Sequence, residues 1–359
     1  MSAAPSHPGL RLLYLGPYNS PHVEDLAVAM RDRGHIVQAG GEVWSGLPAS
    51  SLPQRGVPTS TMRFPSVFWL RGLIRDFRPD IVHAHWMPFA TLAMLAGARP
   101  LVAQAWGSDV YLAGRRHRFE LRVTLRRTAV AMTDSVDLVK RLEHFGPNSL
   151  KTMLVNWGVD LEAFRPATAP ERAALKTRFG LGPGPVILSP RGLKEIYNPA
   201  VVVGAFGRVR ATLPDAQLVL KHARVEEMLD DEWRDAPGVS VVGYLDQAEI
   251  AELFRAADVT VSVPKSDSSP RSVWEAMASG SPTVLSDLPW AHELIEGGRH
   301  ALVVEPTVEA VAGAIERVLG DEQLRTGIVA EARELVERRR DRNVELGRVE
   351  ACYRDLAGA

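Results

Sequence analysis

The residues that most invite chemistry lie between Val259 and Asp287, in the run VTVSVPKSDSSPRSVWEAMASGSPTVLSD, which reads as strand, loop, helix and strand. Asp267 falls on the loop and Glu275 within the helix, with seven residues between them. In open α/β sheets ligands bind beyond the carboxyl ends of strands, and this loop occupies such an end. The helix is expected to begin near Ser269 to Ser272, where serines can cap it and Pro270 suits an early position. Arg271, Ser272 and Val273 then stand at its free N–H groups. A diphosphate there gains amide hydrogen bonds and the favourable end of the helix dipole, the latter worth roughly 0.3–1 kcal/mol. Two acids at this separation cannot both meet phosphate, because like charges repel, so each calls for a hydroxyl-bearing part of a ligand. A sugar nucleotide supplies both: ribose hydroxyls for Glu275, hydroxyls of the transferred sugar for Asp267, and phosphate between them. A plainer reading stays open, with Ser272 and Glu275 as a capping box and Asp267 as a solvated turn residue. Arg191, in the run SPRGLKEIYNP, weighs against it by setting a cation opposite the helix terminus.

The elements that must position these residues are strand-sized aliphatic runs alternating with amphipathic helical stretches, the pattern of βαβ units on a parallel sheet. It occurs twice. Strands are expected at 12–15, 35–39, 80–84, 100–103, 129–133 and 152–155, and again at 186–189, 217–220, 239–243, 259–263, 283–286 and 301–304. Between Phe164 and Pro185 the prolines and glycines are dense enough for a linker with one short helix. The fold class is therefore α/β, two Rossmann-like doubly wound domains facing each other across a cleft. Residues 1–165 form the first and 166–340 the second, and a last helix, 341–359, returns to the first.

At 359 residues, 46% hydrophobic and 24% charged, the chain can support two cores and is neither disordered nor fibrous. A formal net charge of -1 gives no global attraction to nucleic acid, which is not expected as a partner. Cys352 is the single cysteine, so an intramolecular disulfide and a thiolate zinc cage are both out, and a reducing cytosol is the natural compartment. Met1 to Pro8 lacks the charged-then-apolar design of a signal peptide, and no run approaches the ~20 apolar residues that span a bilayer.

The segment carrying Asp267 and Glu275 resembles the signature of the retaining family 4 glycosyltransferases of GT-B fold. In that family a Glu-x7-Glu motif precedes Ala, Met, Ala and Gly, as Glu275-Ala276-Met277-Ala278-Ser279-Gly280 does here. The flanks agree: Asn156-Trp157-Gly158-Val159-Asp160 with Phe164 and Pro166, Gly243-Tyr244 before a helix ending in Ala256-Ala257-Asp258, and Ser286-Asp287 followed by Glu293. The resemblance covers nearly the whole chain. It implies Glu275 as the ribose ligand, Asp267 as substitute for the motif's first Glu, and Gly243-Tyr244 as the neighbourhood of the base. It also implies a lysine five residues after the arginine matching Arg191, and Ile196 stands there instead. Lys194, Lys265 or Arg271 could take its place, Arg271 and Lys194 being the better placed.

In the first domain, Gly16-Pro17-Tyr18-Asn19-Ser20-Pro21-His22 follows the first strand and opens a helix, so backbone amides near Gly16 and Asn19 can reach phosphate or acceptor. It lacks the three glycines of a dinucleotide fingerprint. His83 and His85 share one face of a strand. Without a third ligand nearby, zinc yields to a hydrogen-bonded structural role with some acceptor contact from His85. Trp106-Gly107-Ser108-Asp109 stands where the resembled family often has a histidine; an indole exchanges no proton at neutral pH but can stack on acceptor or sugar, leaving Asp109 as the polar group. Helical spacing sets Arg115, Arg118, Arg122 and Arg126 on one stripe. That stripe suits anionic lipid, an anionic acceptor or plain solvent.

These residues together imply a glycosyltransferase, retaining by resemblance. It would use a UDP- or GDP-sugar as donor, no cofactor and no metal, and pass the sugar to a small-molecule, glycan or lipid acceptor. The protein is expected in the cytoplasm, peripheral at the inner membrane face if the arginine stripe meets lipid. The alternatives are a catalytically silent nucleotide-sugar-binding subunit, raised by Ile196 and Trp106, and a nucleotide-sugar epimerase, for which no second acid/base set is visible.

Overall fold

The structure, a computed structural model, describes residues 8–45, 47–64, 66–221, 233 and 236–358; most of the Pro/Ser/Ala-rich N-terminal stretch lies outside the described residues. The chain divides into two compact units, Met1–Asn156 with Val344–Ala359, and Trp157–Asn343. The first junction falls earlier than the breaker-rich 164–185 stretch suggests. Phe164, fully buried, already packs in the second unit's core, and Val159 bridges to Asp341 of the same unit. Val344–Ala359, which takes in most of the helix Arg342–Ala357, belongs to the first unit.

The first unit is a seven-stranded parallel sheet of order β3-β2-β1-β4-β5-β6-β7. Its strands are β1 (Arg11–Pro17), β2 (Ile36–Glu42), β3 (Thr59–Thr61), β4 (Ile81–His85), β5 (Leu101–Gln104), β6 (Val130–Thr133) and β7 (Lys151–Leu154). Six match the aliphatic runs because strands covered by helices on both faces need apolar residues on both faces. β3 was not expected: it is a three-residue polar edge strand, held in register against Ala39–Gly41. Gly16 pairs with Gly41, which has φ +132°, and a Cβ on Gly41 would stand 2.1 Å from the Gly16 carbonyl oxygen. Glycine is therefore required for β1 and β2 to end this close together.

The second unit is a six-stranded parallel sheet of order β10-β9-β8-β11-β12-β13. It comprises β8 (Val186–Ser189), β9 (Gln217–Lys221), β10 (Val239–Val242), β11 (Val259–Ser262), β12 (Thr283–Ser286) and β13 (Leu302–Val304). All six coincide with expected runs. The two faces are packed separately: Val186, Leu188 and Val219 meet Val273, Trp274 and Met277, whereas Ile187, Leu218 and Leu220 meet Phe206, Val209 and Ile315.

The helix carrying Glu275 spans Arg271–Ala278, and its start differs from the expected serine cap. Pro270 is the N-cap and no side chain caps the helix. Ser272 is already inside the first turn, so the Ser272–Glu275 capping box does not form either. Ser269 has φ +56°, and its hydroxyl accepts from Trp274 Nε1 at 3.0 Å instead. A serine in the left-handed region is strained at a cost of order 1 kcal/mol, here offset by that buried hydrogen bond.

Candidate active site

The strand order of the second unit reverses between β8 and β11, and at such a switch point the two outgoing loops part and leave a crevice at the carboxyl ends. Arg191 follows β8 and Asp267 follows β11. Arg191 Nη2 donates to Asp267 Oδ2 at 2.6 Å, Nη1 donates to Ser272 Oγ at 3.3 Å, and the guanidinium lies 4.7 Å over the Tyr197 ring. The two paired side chains are 16% and 15% exposed, so water screens the ion pair less than a surface pair. Asp267 Oδ1 accepts from the Ser268 N–H.

Glu275 is buried on the same helix, its Oε1 2.7 Å from Arg271 Nε and 3.3 Å from Gln247 Nε2, which donates to it. Gln247 was not foreseen from sequence. It opens the helix Gln247–Ala256, which a capping box between Asp246 and Glu249 starts directly after Gly243-Tyr244, and Tyr244 is 44% exposed at the end of β10. Val273 is fully buried and its N–H closes a turn onto Pro270.

Of the cations weighed as substitutes for the absent lysine, Arg271 is engaged with Glu275, and Lys265 pairs with Glu195 at 2.6 Å. Lys194 is exposed at the cap of the 3-10 turn Glu195–Tyr197. A residue that sequence reasoning passed over, Lys221, closes β9 and interacts electrostatically with both Glu275 and Arg191.

In the first unit the order reverses between β1 and β4. Asn19, buried after β1, uses its amide to hold the loop after β2: it donates to the Trp44 carbonyl at 2.9 Å and accepts from the Trp44 N–H at 2.8 Å. Gly16 lies against His85, where a Cβ would stand 3.1 Å from the His85 backbone oxygen. His83 and His85 stack at 4.4 Å between ring centres, and His83 Nδ1 lies 2.5 Å from the hydroxyl of Tyr353 on the C-terminal helix. Burial pushes the His83 pKa down to about 3 and that of His85 well below its usual value, so both are neutral at physiological pH.

Trp106 is one of three half-buried indoles. Trp44 meets Trp86 and Trp106 edge to face at 6.1 and 5.8 Å, and His22 lies 5.4 Å from Trp106. Trp44 and Trp86 carry no motif, and only the neighbouring ends of β2, β4 and β5 bring them to Trp106. Asp109 accepts from the Trp106 and Met87 N–H groups at 3.0 and 2.8 Å, which fixes the loops after β4 and β5. Burial raises its pKa to about 6 despite those backbone donors. Arg115, Arg118 and Arg122 lie on the helix Arg115–Leu125 and Arg126 follows as its cap; all four are exposed beside the exposed Phe119 and Leu112. Among the described residues no helix is long and apolar enough to cross a membrane.

Two family models match this chain: Glycosyl transferases group 1 over residues 176–335 and Glycosyltransferase Family 4 over residues 20–163. The chain belongs to the family 4 glycosyltransferases of GT-B fold, and it is a glycosyltransferase. It is 28% identical to a phosphatidyl-myo-inositol mannosyltransferase of Mycolicibacterium smegmatis, over 94% of this chain and 90% of that protein. It is 26% identical to a D-inositol 3-phosphate glycosyltransferase of Jonesia denitrificans, over 78% and 74%. Among solved structures, sucrose-phosphate synthase from Thermosynechococcus elongatus superposes with a TM-score of 0.81 at 16% identity, over 97% and 99% of the two chains. HepE from Anabaena, solved in complex with UDP-glucose, gives 0.78 at 19%, over 96% and 99%.

Proposed function

We propose that this chain moves a sugar from a UDP- or GDP-sugar to an acceptor hydroxyl with retention of configuration and without a metal. The second unit takes the donor and the first the acceptor. The observation that carries the reading is the Arg191–Asp267 pair at the switch point, tied to Ser272 in the first turn of the helix that bears Glu275. Arg191 meets the diphosphate, the helix terminus adds amide donors, Glu275 binds ribose and Asp267 the sugar hydroxyls. As the glycosidic bond breaks, an oxocarbenium-like centre forms on the sugar and negative charge grows on the phosphate, which fixed cations stabilise above the ground state. With no nucleophile assigned to the sugar face, attack comes from the side of the leaving phosphate, whose oxygen takes the acceptor proton.

Support for the nucleotide donor also comes from HepE, whose structure holds UDP-glucose. Two relatives carry inositol in their names, which supports a polyol or polyol-lipid acceptor in the first unit beside Trp44, Trp86 and Trp106. The exposed arginines then serve as peripheral contact to anionic lipid at the cytoplasmic face. The test is calorimetry with UDP and GDP, followed by transfer or donor hydrolysis with and without excess EDTA. Binding of one diphosphate and chelator-resistant turnover are expected; failure of both nucleotides to bind refutes the donor assignment.

A further inference from the structure

We propose that Lys221 is a catalytic residue, the cation that meets the departing phosphate where the family's lysine is replaced by Ile196. The proposal rests on the transfer chemistry above. Lys221 is the last residue of β9; Leu220 pairs in register with Ser189, so Lys221 stands level with the backbone that leads into Arg191. Side chains alternate along a strand. Leu218 and Leu220 pack on the Phe206 face and Val219 on the Val273 face, which places Lys221 on the side of the sheet where the helix Arg271–Ala278 carries Glu275.

The charges at this site make the case. Arg191 is paired with Asp267 and Arg271 with Glu275, so these four groups cancel. Lys265 is held by Glu195 and Lys194 is exposed on the outgoing loop. Of these cations Lys194 and Lys221 are left without a carboxylate among the residues named here, and Lys221 is the one within electrostatic reach of both Arg191 and Glu275. Burial lowers its pKa; Glu275 opposes the shift and Arg191 adds to it. A partly desolvated ammonium acts on a neighbouring charge with less competition from water than an exposed one.

In the transfer step the bond from sugar C1 to the phosphate oxygen breaks and its electron pair stays on that oxygen. The acceptor oxygen bonds to C1, and the acceptor proton passes to the same phosphate oxygen. Lys221 keeps its own proton throughout and supplies charge. A merely structural role, as partner to Glu275, would act on ribose binding and leave the bond-breaking step alone.

The experiment compares Lys221→Ala, Lys221→Met and Lys221→Arg in the full chain, using the nucleotide sugar that wild type turns over. Loss of kcat by about 100-fold or more is expected for the Ala and Met variants, the size of effect seen when a preorganised charge stabiliser is removed. Affinity for the nucleoside diphosphate should change by less than about fivefold, and the Arg variant should regain about tenfold in kcat. If Lys221→Ala proves unstable, Lys221→Met, which keeps the apolar stem, decides. A Met variant with kcat within about threefold of wild type overturns the proposal, as does a loss confined to nucleotide affinity. A wild-type protein that binds the nucleotide but turns over no donor refutes the transfer reading itself, before any variant is made.

Discussion

Arg191 Nη2 stands 2.6 Å from Asp267 Oδ2 while Nη1 reaches the Ser272 hydroxyl, so one cation is held from the loop after β11 and from the helix that follows it. This sets a division of labour between the two acids. Asp267→Asn keeps a hydrogen-bond acceptor for Arg191 and should lower turnover more than nucleotide affinity. Glu275→Gln removes the charge from a buried group assigned to ribose and should weaken nucleoside diphosphate binding by about tenfold, near 1.4 kcal/mol. Calorimetry with the free diphosphate checks both, and equal losses of affinity would refute the division.

Arg271 should behave differently from Lys221. Its guanidinium sits 2.7 Å from Glu275 with both side chains largely buried, so Arg271→Ala leaves a buried carboxylate short of its ion-pair partner. Removing one member of a buried pair costs roughly 3 kcal/mol or more in stability. The expected result is a lower melting temperature together with weaker nucleotide binding. A stable Arg271→Ala protein with intact affinity and collapsed kcat would instead make Arg271 the phosphate cation.

The sequence carries the fold well where strands are buried on both faces: Val186–Ser189 and Thr283–Ser286 coincide with their aliphatic runs residue for residue. It fails at Thr59–Thr61, a short polar strand with no pattern of its own that exists only because Ala39–Gly41 offers an edge. The site shows the same contrast. Asp267, Glu275 and Arg191 sit on motif-bearing loops and can be picked out by spacing. Lys221 and Gln247 cannot, since a lysine at a strand end and a glutamine at a helix start are ordinary surface residues until the sheet order brings β9 beside β8 and the helix after β10 beside Glu275. The helix start departs from the serine cap for a local reason. Ser269 is drawn away from capping by the Trp274 indole, and Pro270, extended at ψ 128°, takes the N-cap position.

The Tyr353 hydroxyl should be one of the ties that hold the C-terminal helix to the first unit, beside the pairs that Glu350 makes with Arg33 and His35. Tyr353 is fully buried, and its oxygen lies 2.5 Å from His83 Nδ1 and 3.2 Å from the Tyr14 hydroxyl. Tyr353→Phe keeps the ring packing and removes a polar partner from two buried groups, a change worth about 1–3 kcal/mol. Urea unfolding and proteolysis near residue 344 are the measurements. A variant with unchanged unfolding and no faster cleavage would show that the Tyr353 hydroxyl adds nothing to the docking of the helix.

Asp109 should make the first unit's stability depend on pH in an unusual direction for a carboxylate. Its pKa rises from the ordinary 3.8 to about 6, because burial outweighs the N–H groups of Met87, Trp106, Asp109 and Gly107 that favour the charged form. An acid whose folded pKa lies above its unfolded one binds its proton more tightly when folded, so its contribution to stability is full below the unfolded pKa and is lost as pH rises through the folded one. The window is therefore pH 3.8 to about 6. Two pKa units set a ceiling of about 3 kcal/mol on the effect. Asp109→Asn cannot ionise and lacks this dependence, whatever constant penalty it carries for offering a single acceptor oxygen to the Trp106 and Met87 N–H groups. The stability of wild type relative to Asp109→Asn, from denaturant unfolding followed by tryptophan fluorescence, should therefore be more favourable at pH 4.5 than at pH 7.5 by roughly 1–3 kcal/mol. A difference that stays constant between the two pH values, or that favours wild type more at pH 7.5, would mean the Asp109 carboxylate is charged in the folded protein and that its hydrogen bonds outweigh its burial.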